Sequence, residues 1–425
     1  MSKASFFRQS GWMVLATVGS GVFMYAVHVV AASMKARDVA EYGAFFALLR
    51  VLAVLNIPTS GLQTVFAQQT AAARTHQQAQ QLTGTTRAVF QGIFVLWLLV
   101  ALAAVAFHQP ILAALKVHNP AALWVTLLLT LTSLWLPIVK GLLQGNQDFA
   151  GFGWVMILDG VGRFLAVSVI VLVLSGQAAG GMTGAFIGQV TAFTVGAWLT
   201  RRIWLGTGAA FDWRPWLKMV IPLTLGTGTI LFMSYGDTIY VRTVFDADQS
   251  AYYFAASIIG FALAQFTVPL TAVMFPKIVH SVARSEKTDV MRLTLGATAI
   301  LGGAAALVCT VLPKLPLWII YFRNAQLIGP AAPLVPWFAW GMLVLALANV
   351  LVGNLLARER FAVVPWLVLV ALAYGATLWG LKLTLQSMPV FDAFRLIVQV
   401  LSGYSSLLLA VAAWFTWGRK KPAQI

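Results

Sequence analysis

The feature that most constrains this chain is a series of long apolar stretches with only short polar loops between them. A helix of about 20 mainly apolar residues crosses the hydrocarbon layer of a membrane. The pattern predicts twelve such spans, roughly at 10–33, 42–66, 87–107, 120–143, 152–175, 181–200, 217–240, 251–275, 291–312, 331–356, 361–384 and 394–417. We therefore expect an all-α polytopic membrane protein without a soluble domain of useful size.

Composition agrees with a membrane location. Hydrophobic residues make up 60% of the chain and charged residues only 9%, whereas a soluble domain carries about 25% charged residues. The first apolar stretch has full span length and no clear cleavage site, so it is predicted to be an uncleaved span. The net charge of +16 could suit nucleic acid. Because the basic residues lie at span ends, however, we predict membrane lipids as partners and no nucleic acid.

The two halves of the chain begin with the same pattern. A shift of 210 positions aligns Tyr25 with Tyr235 and Tyr42 with Tyr252. Each copy contains the end of one apolar helix, a short polar loop and a second apolar helix with a late proline. Repeated bundles of this kind enclose a midplane cavity and transport solutes by rocking. We predict two pseudo-symmetric six-helix bundles around a central cavity, with an N-terminal bundle at 1–205, a cytoplasmic connecting loop at 206–216 and a C-terminal bundle at 217–425.

The placement of lysine and arginine predicts the orientation. Short cytoplasmic loops carry more of these residues than outer loops do. If the N-terminus lies in the cytoplasm, the cytoplasmic segments contain more Lys and Arg than the outer segments do, and most of this excess comes from the second half of the chain. An even number of spans then places both termini in the cytoplasm.

Motifs of several other functions are absent from the sequence. It contains no GxxxxGK[ST] loop for nucleotide phosphates, no HExxH and no CxxC. The five histidines fall in different predicted segments, and Cys309 is the only cysteine. We therefore expect no catalytic residues, no metal site and no cofactor, and a protein that is not an enzyme.

Ionisable side chains inside the spans are the strongest functional signal, because they are costly at membrane depth. Arg50 has no acidic residue three or four positions away. We predict that it faces the cavity and binds an anionic group, since a guanidinium offers two donors to phosphate oxygens. Asp159 and Arg163 are four residues apart and can pair, either structurally or within a substrate site. Asp237 lies either in the cavity or in the outer head-group region, and Lys140 is expected to extend to the cytoplasmic interface.

Uncharged polar residues give a weaker signal on the same helices. Buried amides either line a wet cavity or join helices to one another. The second span is expected to continue into an amphipathic extension, AQQTAAARTHQQAQQ. The predicted substrate-binding residues are Arg50, Asn56, Arg163, Gln189 and Gln265, and the candidates for a coupling ion are Asp159 and Asp237.

Three runs carry a resemblance to a known family. The loop and second span of polysaccharide flippases are similar to ARDVAEYGAFFALLRVLAVLNIPTSGLQTVFAQQTA. Their fourth-to-fifth span junction is similar to KGLLQGNQDFAGFGWVMILDGVGRFLAVSVIVLV, and their seventh and eighth spans to GDTIYVRTVFDADQSAYYFAASIIG. With the span number and the repeat, the chain resembles the oligosaccharide (Wzx-type) flippases of the MOP superfamily.

This resemblance implies a transporter of lipid-linked sugars in the bacterial inner membrane. It would move polyprenyl-pyrophosphate-linked oligosaccharide, a repeat unit of O-antigen or another surface polysaccharide, to the periplasmic leaflet by alternating access. A basic cavity would take the pyrophosphate while the prenyl tail stays in lipid. A polysaccharide polymerase and glycosyltransferases would be candidate partners.

Three other functions stay open. A multidrug and toxin extrusion antiporter of the same superfamily shares the repeat, but such exporters commonly use an aspartate in the first span, and 10–33 contains no acid. A lipid II flippase would have two further spans. A membrane glycosyltransferase, polymerase or ligase would need a large outer loop with catalytic residues, and the loop at 313–330 contains no Asp, Glu or His.

Overall fold

The computed structural model is helical wherever it shows regular structure. It describes residues 3–35, 39–115, 117, 119–245, 247–284, 288–321 and 327–418, although some side chains within these ranges, chiefly between 32 and 60, are not described. Over these residues the α-helices are α1 (Lys3–Lys35), α2 (Val39–Ala72), α3 (His76–Ala106), α4 (His108–Leu115), α5 (Pro120–Gly145), α6 (Phe149–Val167), α7 (Gln177–Leu199), α8 (Arg201–Trp204), α9 (Trp213–Val244), α10 (Ala247–Ala283), α11 (Val290–Val311), α12 (Lys314–Tyr321), α13 (Ile328–Ala331), α14 (Val335–Ala357), α15 (Val364–Gly380), α16 (Lys382–Ser387) and α17 (Val390–Ala413). Short 3-10 segments lie at Ala332–Leu334 and Phe361–Val363, and π-helical segments at Ser168–Val173 and Trp414–Gly418.

Helices of membrane-spanning length dominate the chain. Among the described residues, 11 helical segments are long and apolar enough to cross a membrane, judged by length and composition. The predicted second span falls on α2, a helix of 34 residues in which many side chains lie outside the described part. The prediction of an all-α polytopic membrane protein is confirmed.

The junction between α2 and α3 differs from the prediction. The polar run after the second span was expected to extend that span, but α2 ends at Ala72 and α3 begins at His76. Thr75 caps α3, since its hydroxyl accepts a 3.2 Å hydrogen bond from the Gln78 amide and its own amide donates to the Gln78 side chain at 3.1 Å. This reciprocal capping box satisfies the first free amides of a helix. The extension therefore stops at Ala72: Gln68 and Gln69 lie in α2, whereas the later glutamines of the run belong to the first turns of α3.

The chain divides into two compact units, Met1–Val220 and Ile221–Ile425. In the first unit α2 packs on α5, α5 on α7 and α6 on α7. In the second unit α10 packs on α14, α14 on α17 and α15 on α17. Among the long helices of each unit, counted in order, these are the same pairs: second with fourth, fourth with sixth and fifth with sixth. The repeat seen in the sequence thus recurs in these three pairs, whereas the close packing of α1 on α6 has no equally close counterpart between α9 and α15 among the described residues.

The turn after the fourth long helix repeats down to its backbone angles. Gln147 follows α5 with φ 58°, and Glu359 follows α14 with φ 56°. In each turn the next amide donates to the carbonyl five residues earlier, at 3.0 and 2.9 Å. This hydrogen bond and the left-handed residue form a helix-terminating motif. Because a left-handed conformation is unfavourable for residues other than glycine, its occurrence at both positions supports a structural repeat.

The segment after α8 is fastened to α3 within the first unit. The Arg87 side chain donates hydrogen bonds of 2.7 Å to the carbonyls of Trp204 and Gly206. The amide of Ala209 donates to a backbone carbonyl of α3 at 2.9 Å. Gly84 permits this approach, since a Cβ there would meet the Ala209 carbonyl. Much of the predicted connecting loop is therefore packed as part of the first unit.

Candidate functional site

A buried network of polar side chains joins three helices of the first unit. Arg163 of α6 donates from Nε to Oδ1 of Asp159 at 2.7 Å. Its terminal nitrogen donates to the Gln189 amide oxygen of α7 at 2.5 Å. The Gln189 amide nitrogen donates in turn to the hydroxyl of Ser133 in α5 at 2.8 Å. We call these four residues the Arg163 network.

Glycines bring α6 and α7 close enough for the network to form. A Cβ built on Gly188 would lie 2.7 Å from the Cα of Arg163, and one on Gly184 would lie 2.7 Å from the Cα of Val167. Small residues at such positions let helix backbones approach closely in membranes. Because Gln189 follows Gly188 directly, its side chain is held against the Arg163 guanidinium.

The charges of this site are not balanced. Asp159 and Gln189 are buried, and Arg163 is half-buried. Lys140 of α5 is half-buried and close enough for its charge to act on both Asp159 and Arg163. The expectation that Lys140 extends to the cytoplasmic interface stays a prediction. With two basic groups and one acid, the site carries an excess positive charge when all three are ionised.

The second unit contains a buried carboxyl group at Asp237 of α9. The hydroxyl of Tyr253 in α10 donates to its Oδ2 at 2.6 Å, and Thr238 donates more weakly to its Oδ1 at 3.3 Å. Asp237 is 2% exposed and Tyr253 is fully buried, so the carboxyl group is enclosed by protein. None of the ion pairs in the described part of the chain involves Asp237.

Aromatic rings surround this carboxyl group. Tyr253 packs edge-on against Phe338 and Phe394, with ring centroids 5.0 and 5.2 Å apart. The buried hydroxyl of Tyr374 in α15 lies close to Asp237. We call Asp237, Thr238, Tyr253 and Tyr374 the Asp237 cluster. A carboxyl group in such apolar surroundings is costly when charged unless a proton or a cation neutralises it.

The structure brings some of the predicted residues together and leaves others apart. Arg163 and Gln189 are bonded to each other, and Asp159 completes the same network. Gln265 is half-buried in α10 and takes part in neither site. The predicted residues Arg50 and Asn56 lie in α2, but their side chains fall outside the described residues.

Sequence reasoning missed three residues of these sites. Ser133, Tyr253 and Tyr374 each contact a predicted residue from another helix. The sequence pointed to Tyr253 only indirectly, because it is adjacent to Tyr252, which aligns with Tyr42 in the internal repeat. Among the described residues, no group of three or more His, Cys, Asp or Glu could hold a metal ion.

The fold is that of solved multidrug and toxin extrusion (MATE) transporters. A eukaryotic MATE transporter superposes with a TM-score of 0.75 at 10% identity, over 96% of this chain and 96% of that chain. The Vibrio cholerae MATE transporter VcmN in the bent form gives 0.70 at 14% identity, over 97% of both chains. An outward-facing multidrug resistance MATE family transporter of the MOP superfamily gives 0.73 at 11% identity, over 96% and 94%.

These likenesses bear on fold alone, because the identities are low. No protein-family profile and no curated protein matches the sequence. The MOP-type fold expected from the sequence runs is thus supported, whereas the narrower resemblance to Wzx-type polysaccharide flippases is not.

Proposed function

We propose that this chain is a membrane transporter of the multidrug and toxin extrusion type, which exports an organic solute by alternating access in exchange for a cation. The observation that carries the proposal is the fold, shared with MATE transporters over nearly the whole of both chains. The sequence had favoured a polysaccharide flippase over this function. The structural likeness to MATE transporters supports the extrusion antiporter better than the flippase.

The Asp237 cluster supplies the cation site in this proposal. Sequence reasoning weighed against an extrusion antiporter because the first span contains no acid. Asp237 offers a buried carboxyl group in another span, with a tyrosine hydroxyl directed at it and no ion pair among the described residues. A proton or a sodium ion bound there would neutralise the carboxylate. Its binding would favour one state of the transport cycle, because a ligand shifts a conformational equilibrium only through its differential affinity.

A transport assay tests this function directly. Vesicles containing the full chain should move a fluorescent cationic dye when a proton or sodium gradient is imposed. Asp237→Asn should abolish this movement, because the amide cannot exchange a cation. Asp289→Asn is the matched control in the same unit, since the side chain of Asp289 is 80% exposed. Dye movement that is unchanged in Asp237→Asn would contradict the coupling role.

A second candidate function is the flipping of polyprenyl-pyrophosphate-linked oligosaccharide. It is favoured by the excess positive charge around the Arg163 network, because pyrophosphate requires cationic partners. In this function Arg50 and Arg163 would bind phosphate, and Asn56, Gln189 and Gln265 would contact sugar. The lipid-linked sugar would be supplied by glycosyltransferases and consumed by a polymerase.

Complementation separates the two candidates. A strain that lacks its own flippase should regain surface polysaccharide only if the chain accepts lipid-linked sugar. In that case Arg50→Ala should abolish display at normal protein level, and Arg50→Lys should retain part of it because the charge remains. Restored display without gradient-driven dye movement would establish the flippase. Dye movement without display would establish the exporter.

A further inference from the structure

The second unit has a surface cavity of about 450 Å³ that neither candidate function uses. It is lined by Pro330, Pro333, Leu334, Trp337, Phe391, Asp392 and Arg395. The cavity lies where α14 and α17 begin. Because both helices are membrane spans, their first turns lie at the membrane surface, and so does the cavity. Its volume falls within the range of small-ligand sites, about 300–1,000 Å³.

Two residues of opposite charge, Asp392 and Arg395, lie at the rim of the cavity and form no ion pair with each other. The guanidinium of Arg395 lies over the ring of Trp337, with its central carbon 4.7 Å from the ring centroid. Asp392 precedes it by three residues on α17. The ion pairs in the described part of the chain do not include these two side chains. Both are exposed, so an ammonium group can reach the carboxylate while a phosphate reaches the guanidinium.

The remainder of the cavity wall is apolar and partly aromatic. Leu334 is buried, while Trp337 and Phe391 are 37% and 43% exposed. Phe391 is fixed by contacts with the rings of Tyr252 and Phe394, at centroid distances of 6.1 and 6.4 Å. Aromatic side chains are enriched at the head-group level of membranes. The wall therefore suits the glycerol and upper acyl region of a lipid.

We propose that this cavity binds the phosphoethanolamine head group of a membrane phospholipid, with the phosphate on Arg395 and the ammonium on Asp392. Phosphatidylglycerol has a phosphate for Arg395, but its uncharged glycerol leaves Asp392 without a counter-charge. A choline lipid carries a quaternary ammonium that has no N–H to donate to the carboxylate. A head group with a phosphate and a primary amine uses both charges and also donates hydrogen bonds to the Asp392 carboxylate.

Bound lipid would also act on the Asp237 cluster through packed rings. Phe391 of the cavity contacts Phe394, and Phe394 contacts Tyr253, which holds Asp237. A lipid that packs against Phe391 is therefore expected to stabilise the second unit. This stabilisation does not depend on which substrate the chain transports.

Native mass spectrometry of the purified full chain tests the proposal. The protein is incubated with phosphatidylethanolamine, phosphatidylcholine and phosphatidylglycerol of identical acyl chains. Wild type should retain one phosphatidylethanolamine in preference to the other two lipids. Arg395→Gln should lower this retention about tenfold, the loss expected for one charge-assisted hydrogen bond. Asp392→Asn should remove the preference over phosphatidylglycerol.

Lys382→Ala is the matched control. Lys382 lies over the ring of Trp379 at 5.4 Å and does not line the cavity, so its loss should leave retention unchanged. Unchanged melting temperatures without added lipid would show that the variants are folded. Equal retention of the three lipids by wild type would overturn the proposal. Wild-type retention in both Arg395→Gln and Asp392→Asn, or equal losses in Lys382→Ala, would overturn it as well.

Discussion

The hydroxyl of Tyr253 donates a 2.6 Å hydrogen bond to Oδ2 of Asp237 and so joins α10 to α9 inside the second unit. Both residues are buried. Without a partner, either group would carry the full cost of losing contact with water. The bond thus fixes where the buried carboxyl group sits, and that position gives Asp237 its proposed role in cation exchange.

Tyr253→Phe should destabilise the second unit by about 1.5–3 kcal/mol, the range for a hydrogen bond to a charged group. The ring would keep its packing against Phe338 and Phe394, so the loss would come from the hydroxyl alone. Thermal unfolding of the purified chain measures the change. Tyr235→Phe is the control, because Tyr235 lies on the same helix as Asp237 but is 42% exposed. Equal losses in the two variants would contradict a special role for the Tyr253 bond.

Asp159→Asn should be strongly destabilising, by about 3–5 kcal/mol, because it leaves Arg163, whose side chain is only 14% exposed, without its counter-charge. The double variant with Arg163→Gln should lose less than the two single changes together, since the residues act as a pair. A double-mutant cycle of unfolding measures this coupling.

The exposed pair Asp289 and Arg292 provides the comparison for that cycle. Its charges are 3.9 Å apart, and both side chains are about 80% exposed. The coupling there should be close to zero, as for most surface pairs. Additive behaviour at Asp159 and Arg163 would show that their bond does not hold the Arg163 network together.

Gly188→Ala should separate α6 from α7. The added methyl group would lie 2.7 Å from the Cα of Arg163, and overpacking of this kind costs roughly 1–3 kcal/mol. Gly92→Ala, where nothing lies within 4 Å, should be neutral or stabilising because alanine favours a helix. Thermal unfolding distinguishes the two variants. If both variants lose stability, the loss in Gly188→Ala does not come from the contact with α6.

Arg87→Ala should release the segment after α8 from α3. Its two hydrogen bonds to Trp204 and Gly206 would be lost, so the amide of Ala209 should exchange its hydrogen faster. Hydrogen-exchange mass spectrometry of this segment is the measurement. Arg202→Ala is the control, since Arg202 is an exposed basic residue nearby. Unchanged exchange in Arg87→Ala would mean that other contacts are sufficient to hold the segment.

The orientation predicted by the basic residues can be checked with reporter fusions. Fusions after Arg202 and after Arg292 should report the cytoplasm, and fusions near Asp246 and Arg323 should report the outside. A reversed result in the second half would overturn the predicted orientation, because that half carries most of the charge bias.

The sequence by itself determined the features that depend on local chemistry. Apolar runs fixed the spans, because a backbone in lipid must satisfy its hydrogen bonds within a helix. The pairing of Asp159 with Arg163 followed from their spacing, since residues four apart share a helix face. The repeat was visible because each half carries the same order of apolar and polar segments.

Tertiary structure alone decided which helix faces meet. Gln189 reaches Arg163 because Gly188 lets two backbones approach, and Tyr253 reaches Asp237 across a gap of sixteen residues. Neither contact can be read from periodicity, since these helices are apolar nearly all round and their pattern does not show how each is rotated. Packing between helices sets that rotation. The sequence therefore identified the charged residues within the spans but not their partners. Only the fold shows that Asp159 and Arg163 belong to one hydrogen-bonded network, whereas Asp237 is bonded to Tyr253.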